Sequence, residues 1–153
     1  MKLKYRKTKM KYMVAETFKV DCYEIIEALT ECGSTGNNVE WIGNRIHDRE
    51  GGISIDIFGV LTITAGQYWD GASGPTRDSK KSKRGSLTHD MLYRLMRQGK
   101  LPQFCRGAAD GIFYRLLRED GMWRIRAWFW YRAVKRFAGA FVDPDSIAEV
   151  FST

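Results

Sequence analysis

Histidine is nearly absent from this chain: of 153 residues, only His47 and His89 carry an imidazole. A catalytic zinc centre draws on three good ligands, usually with more than one histidine among them. The shortage argues against zinc chemistry and against a metal-dependent HD-type phosphohydrolase. Cysteine is equally sparse. Cys22, Cys32 and Cys105 permit at most one bridge and form no metal-type Cys-x-x-Cys, so the expected setting is a reducing compartment. No apolar run is long enough to span a bilayer, and none of signal-peptide length follows the first lysines. The expectation is a chain neither exported on its own nor membrane-spanning. Ser73 and Ser86 are the candidate nucleophiles beside His89, yet neither stands in a nucleophile-elbow motif.

What is present suffices for one folded unit. Hydrophobic residues make up 44% of the chain, enough at this length to bury a core without covalent staples. No repeat or low-complexity linker divides it. The reading is a basic arm over 1–12 and a single α+β domain over 13–153, mainly β from 13 to 68 and mainly α from 84 to 153. The net charge of +7 gathers at the front, where Lys2, Lys4, Arg6, Lys7, Lys9 and Lys11 precede the first acid, Glu16. Basic residues alternating with others predict an extended arm or edge strand with one charged face. Such an arm suits anionic lipid, an acidic neighbouring subunit or, less favoured, nucleic acid; a solvated tail is the plainer reading.

From Tyr12 through Val20 the apolar spacing is that of a strand, followed by a segment of mixed pattern as far as Ile26. Residues 30–38 read as loop, 39–46 as a short strand and Gly51-Gly52 as a turn. Alternating Ile53, Ile55 and Ile57 predict a half-buried strand, Gly59 a turn and 60–64 the partner, giving a small antiparallel sheet. Residues 65–75 form a glycine-rich loop whose backbone can approach a ligand. Residues 76–85 form a basic polar loop in which Lys80, Lys81, Lys83 and Arg84 suit a phosphate group or are simply solvated. A helix over about 122–138 carries Trp123, Trp128, Phe129, Trp130, Tyr131 and Phe137 among five cations, more aromatics than one core-facing stripe requires. Part of it is expected to meet a partner or a membrane interface. A short final helix is expected at 147–151.

The chemistry concentrates around His89. It lies in a helical pattern with Leu87, Met91, Leu92, Leu95 and Met96, and Asp110 lies in a second, in register with Phe113, Leu116 and Leu117. A carboxylate on a core-facing stripe is costly unless a donor or cation meets it. In an antiparallel hairpin joined through 99–102, Asp110 reaches one ring nitrogen of His89 and fixes its tautomer. The other nitrogen is then left to act as a base. Tyr93 and Tyr131 are each placed to bring a hydroxyl near Asp110. The plainer alternative is a satisfied core histidine.

The pattern His89-Asp90-x-x-Tyr93, then Arg106-x-x-x-Asp110-x-x-Phe113, resembles the catalytic helix pair of secreted phospholipase A2, especially its bacterial and fungal branch. Residues 127–137 resemble the third helix of that branch. The resemblance implies His89 as base and Asp110 as the acid that orients it; Tyr93, Tyr131, Ser73 and Arg106 are the supporting candidates, with Asp70 and Ser73 as caps of the turn the plainer reading. It also implies calcium, held by Asp90 and by Asp70 of the glycine-rich loop, with carbonyls of Gly71 or Ala72. Two features depart from that family: the chain lacks its disulfides, and Ser86 stands where the bacterial branch has a cysteine. Over nearly the whole length, Trp69 to Pro75, the His89-Asp90 helix, Ala109-Asp110 and Tyr131 to Val134 resemble, in that order, a phage and prophage family of uncharacterised proteins, domain of unknown function 1353. That resemblance implies synthesis in the host cytoplasm, with the virion as a destination.

Two functions follow. One is a metal-assisted hydrolase acting on a lipid ester or another component of the host envelope. The other is a virion assembly protein, head- or tail-associated, that keeps the helix pair as scaffold and binds phage proteins or further copies of itself. The fold expected for both is a small antiparallel sheet packed on a three-helix unit.

Overall fold

Period-two alternation builds two antiparallel sheets in the first half of the chain. The computed structural model describes residues 2–8, 11–32, 39–69, 71 and 79–137. Strands β1 (Tyr5–Thr8), β2 (Lys11–Val14) and β7 (Tyr68–Trp69) form one sheet, in the order β1-β2-β7. Strands β3 (Phe18–Asp21), β4 (Arg45–His47), β5 (Ile53–Asp56) and β6 (Val60–Ile63) form the other, in the order β3-β6-β5-β4. Phe18 and Val20 face inward while Lys19 and Asp21 face solvent, and their pairing with Ile63 and Leu61 aligns the buried faces of β3 and β6. The single sheet expected from sequence is thus two. The basic stretch supplies the edge strand of the first: Tyr5 packs edge-on against Tyr12 and Trp69, and Arg6 and Lys7 stay at the surface.

The segment of mixed pattern is a helix, α1 (Tyr23–Glu31), which buries Ile25 and Leu29 one turn apart. Its start lies against the β5–β6 turn, where the Gly59 carbonyl accepts the Cys22 amide at 2.8 Å. Gly59 sits at φ +84°, and a Cβ there would come within 2.7 Å of the Tyr23 backbone. Only glycine meets both demands.

The second half is helical: α2 (Lys83–Arg97), α3 (Arg106–Glu119) and α4 (Arg124–Phe137). Helix α2 stops at Gly99, φ +71°, where the amides of Lys100 and Leu101 both bond the Leu95 carbonyl. Pro102 then leads through a 3-10 turn, Gln103–Cys105, into α3. The two helices run antiparallel. Leu87, Met91, Leu92 and Leu95 of α2, with Ala109, Ile112 and Leu116 of α3, close over the sheets in one core. A smaller cluster of Phe113, Leu117, Met122, Ala127 and Trp130 fastens α4 to α3. No described helix is long and apolar enough to cross a membrane.

Residues 79–85 are not the loop expected from their polarity. Lys80–Ser82 form a 3-10 turn that runs straight into α2, closed by Ser82, whose hydroxyl donates to the Ser79 carbonyl and accepts the Ser79 amide. The final helix expected at 147–151 lies outside the described residues.

Candidate active site

The core-facing stripes of α2 and α3 carry His89 and Asp110, neither of which can be buried alone. His89 keeps 6% of its surface and Asp110 2%. They meet where the helices cross, with His89 Nε2 2.8 Å from Asp110 Oδ1. Tyr93, one turn beyond His89, donates its hydroxyl to the same oxygen at 2.7 Å. A carboxylate oxygen taking two short bonds is the acceptor an ionised acid provides. Because Asp110 accepts at Nε2, the neutral ring carries its proton there, and Nδ1 presents a lone pair. Among the described residues nothing bonds Nδ1.

Two aromatic rings pack against the imidazole. The Tyr93 ring lies 4.0 Å from the imidazole and Phe113 5.3 Å, with Trp130 of α4 behind Phe113. Gly85 lets the helices approach: a Cβ there would lie 3.3 Å from Phe113 Cδ2 and 3.4 Å from the Phe113 carbonyl. A glycine inside a helix disfavours it by about 1 kcal/mol relative to alanine, so its presence has a packing reason. Burial, and then the Asp110 carboxylate, push the Tyr93 phenol up, while the Arg106 charge pulls the other way. Tyr93 therefore stays a donor. Arg106 also donates to the Lys135 carbonyl at 3.0 Å, tying the start of α3 to α4.

The remaining candidates separate from this cluster. Tyr131 does not turn to Asp110: its ring packs on Tyr114 and lies beneath the Lys135 ammonium. The four cations of 80–84 form no shared anion site. Lys83 is buried over the Tyr12 ring at 3.6 Å, Arg84 pairs with Glu119 and Asp120, and Lys81 bonds the Gly121 carbonyl; Lys80 is exposed. Ser86 donates to the Lys83 carbonyl and accepts from Trp69 Nε1, so its hydroxyl is engaged away from His89. His47 is half-buried in β4 opposite Ser54. Asp70 and Ser73 lie outside the described residues.

The calcium expectation is overturned. Among the described residues no group of three or more His, Cys, Asp or Glu side chains could hold a metal ion. The charge of Asp90 acts on a neighbouring cation, Arg97, of the same helix. Burial holds the Arg97 guanidinium below its ordinary value, with the Asp90 charge opposing. Arg97 and Gly85 stand outside the candidates expected from sequence. Spacing would have flagged the first, seven residues after Asp90 on the same helix face, and a glycine in mid-helix the second.

The family described as "Protein of unknown function (DUF1353)" matches residues 56–134. The chain belongs to that family. In this DUF1353 protein the match runs from the last residue of β5 into α4 and so takes in the whole α2–α3 hairpin. Neither a curated protein nor a solved structure matches the chain. The buried His89–Asp110 pair between two helices is consistent with a hydrolase-like catalytic site: a base whose Nδ1 meets no partner among the described residues and an acid that orients it.

Proposed function

We propose that this DUF1353 protein is a phage-encoded hydrolase of carboxylic esters that uses its helix pair as phospholipase A2 does, on a lipid ester or another component of the host envelope. The observation that supports it is the single Asp110 oxygen shared by His89, at 2.8 Å, and Tyr93, at 2.7 Å. Nδ1 takes a proton from water as the water oxygen attacks the ester carbonyl carbon. The carboxylate of Asp110 stabilises the imidazolium through Nε2–H, and Tyr93 keeps that carboxylate in place. When the bond to the alcohol breaks, the proton passes from Nδ1 to the leaving oxygen, giving acid and alcohol. A positioned base of this kind contributes about 100- to 10,000-fold to rate. The roles of His89 and Asp110 need no metal ligand.

One observation favours the scaffold reading instead. The imidazole is almost closed off, at 6% exposure, as a histidine joining two helices in an assembly protein would be. Assays on emulsified phospholipid and on a short-chain nitrophenyl ester separate the two. Ester cleavage by the wild type, lost in His89→Asn and in Asp110→Asn while both variants remain folded by circular dichroism, supports the hydrolase. A folded wild type inert on both substrates, or His89→Asn as active as wild type, rejects it.

A further inference from the structure

Helix α4 turns one face inward, and that face accounts for only part of its apolar content. Ala127 and Trp130 are buried against Phe113, Leu117 and Met122, with Val134 packed beside them. Opposite this seam, Ile125, Trp128, Phe129, Arg132 and Arg136 follow one another at spacings of three, one, three and four, the repeat of a single helix face. Ile125 is 59% exposed, Trp128 48% and Phe129 59%, and Trp123, just before the helix, is 76% exposed. Large apolar side chains gathered on one exposed face mark an interaction surface.

Charge decides what covers it. From Gly121 to Phe137 there are five cations, Arg124, Arg126, Arg132, Lys135 and Arg136, and no acid. Among the described residues no carboxylate pairs with Arg124, Arg126 or Arg132. The Arg132 guanidinium lies 5.4 Å from the Trp128 ring, so cation and aromatic are presented together. A second copy of the chain docking through the same face would set Arg132 and Arg136, with the flanking cations, against their own copies. A nucleic acid would satisfy the arginines and stack on tryptophan, but it offers nothing to Ile125. An anionic bilayer answers every part: the apolar side chains enter the acyl boundary, the rings take the interfacial level, and the arginines meet lipid phosphates.

We propose that the outward face of α4 docks on an anionic lipid membrane, with the helix axis in the plane of the interface. The inference does not rest on the hydrolase reading; it needs only the exposure and charge of this helix. Docking would bring more than α4 to the lipid. Arg106, at the start of α3, is bonded to the Lys135 carbonyl, and Trp130 packs on the same Phe113 that lines the imidazole. The helix pair is therefore carried to the surface as one packed body.

Co-sedimentation of the full chain with vesicles of phosphatidylcholine, with and without phosphatidylglycerol, tests this. The wild type is expected to bind only the anionic vesicles, more weakly as salt rises. Each arginine removed should weaken binding about fivefold, so Arg124→Gln, Arg126→Gln and Arg132→Gln together should weaken it about a hundredfold. Trp128→Ser with Phe129→Ser should reduce binding and the quenching of tryptophan fluorescence by brominated lipid. All of these residues are exposed, and unchanged melting temperatures would show that the variants fold. Three results would overturn the proposal. The wild type ignores anionic vesicles; or binding survives both sets of substitutions and is lost when Lys2, Lys4 and Lys7 are replaced; or the α4 variants lose affinity for duplex DNA while keeping it for vesicles.

Discussion

His89 and Asp110 lie 21 residues apart in the chain and 2.8 Å apart in space, joined through Nε2 and Oδ1. Because Tyr93 shares that oxygen, the three side chains should behave as one unit. Asp110→Asn removes the charge that both donors meet, and a buried bond to a charged acceptor contributes about 1.5–3 kcal/mol. Urea denaturation should show a loss of that order. Tyr93→Phe in the Asp110→Asn background should then cost less than it does alone, because its acceptor is already weakened. Strictly additive losses in that double-mutant cycle would contradict the shared-oxygen arrangement.

The proximity of these three residues was legible in the chain because helical spacing is strict. His89 and Tyr93 are four apart, and Asp110 falls on the same stripe as Phe113 and Leu117, so a short hairpin leaves few ways for them to miss one another. Helix α1 was not legible. It follows directly on a strand, is nine residues long, and its Ncap, Cys22, offers no side-chain bond to mark the start. The start of α2 was hidden for another reason: Lys80, Lys81, Lys83 and Arg84 have the composition of a solvated loop, and only the tertiary partners of the last three, Gly121, Tyr12, Glu119 and Asp120, reveal a structural role. Tyr131 has a helical position as favourable as that of Tyr93, but α4 rotates its ring toward Tyr114. Sequence spacing does not determine that rotation.

Two glycines with positive φ should respond differently to alanine. At Gly43, φ +57°, a Cβ would meet nothing within 4 Å, so Gly43→Ala should cost only the backbone strain of a left-handed residue, about 1–2 kcal/mol. At Gly59 the same strain adds to a clash with the Tyr23 backbone, which no side-chain rotation relieves. Gly59→Ala should therefore lose about 1–3 kcal/mol more than Gly43→Ala. Equal losses by thermal denaturation would mean that the β5–β6 turn can lift off α1 freely.

The three thiols should divide by accessibility. Cys32 is exposed, whereas Cys22 and Cys105 are buried. Burial pushes the Cys22 thiol up, outweighing the Arg115 charge. Burial, with the neighbouring Cys32 adding, pushes Cys105 up to about 12. Only the thiolate attacks a disulfide reagent. Near neutral pH the folded chain should therefore release one equivalent of thionitrobenzoate quickly, from Cys32, and all three only in denaturant. Rapid reaction of Cys105 in the folded chain would show that the 3-10 turn before α3 opens readily.

Acid should weaken the link between α3 and the rest of the fold. Arg115 bonds Glu24 at 2.7 Å and Glu119 at 2.9 Å, and Glu119 also receives Arg84 at 2.8 Å. Burial is the largest single influence on the Glu119 carboxyl and raises it, but the hydrogen bonds and charges of Arg115 and Arg84 together prevail and hold it below the ordinary carboxylate value. A carboxyl depressed by folding contributes stability that is fully present above its unfolded value, about 4.3, and is lost as pH falls through the folded value. Glu119 is 44% exposed, so solvent screening limits the contribution to about 1 kcal/mol or less. Glu119→Gln should thus be less stable than wild type near neutral pH, and the two urea midpoints should converge as the pH is lowered below the unfolded value. A constant gap across that range would assign the loss to packing of the side chain instead of its charge.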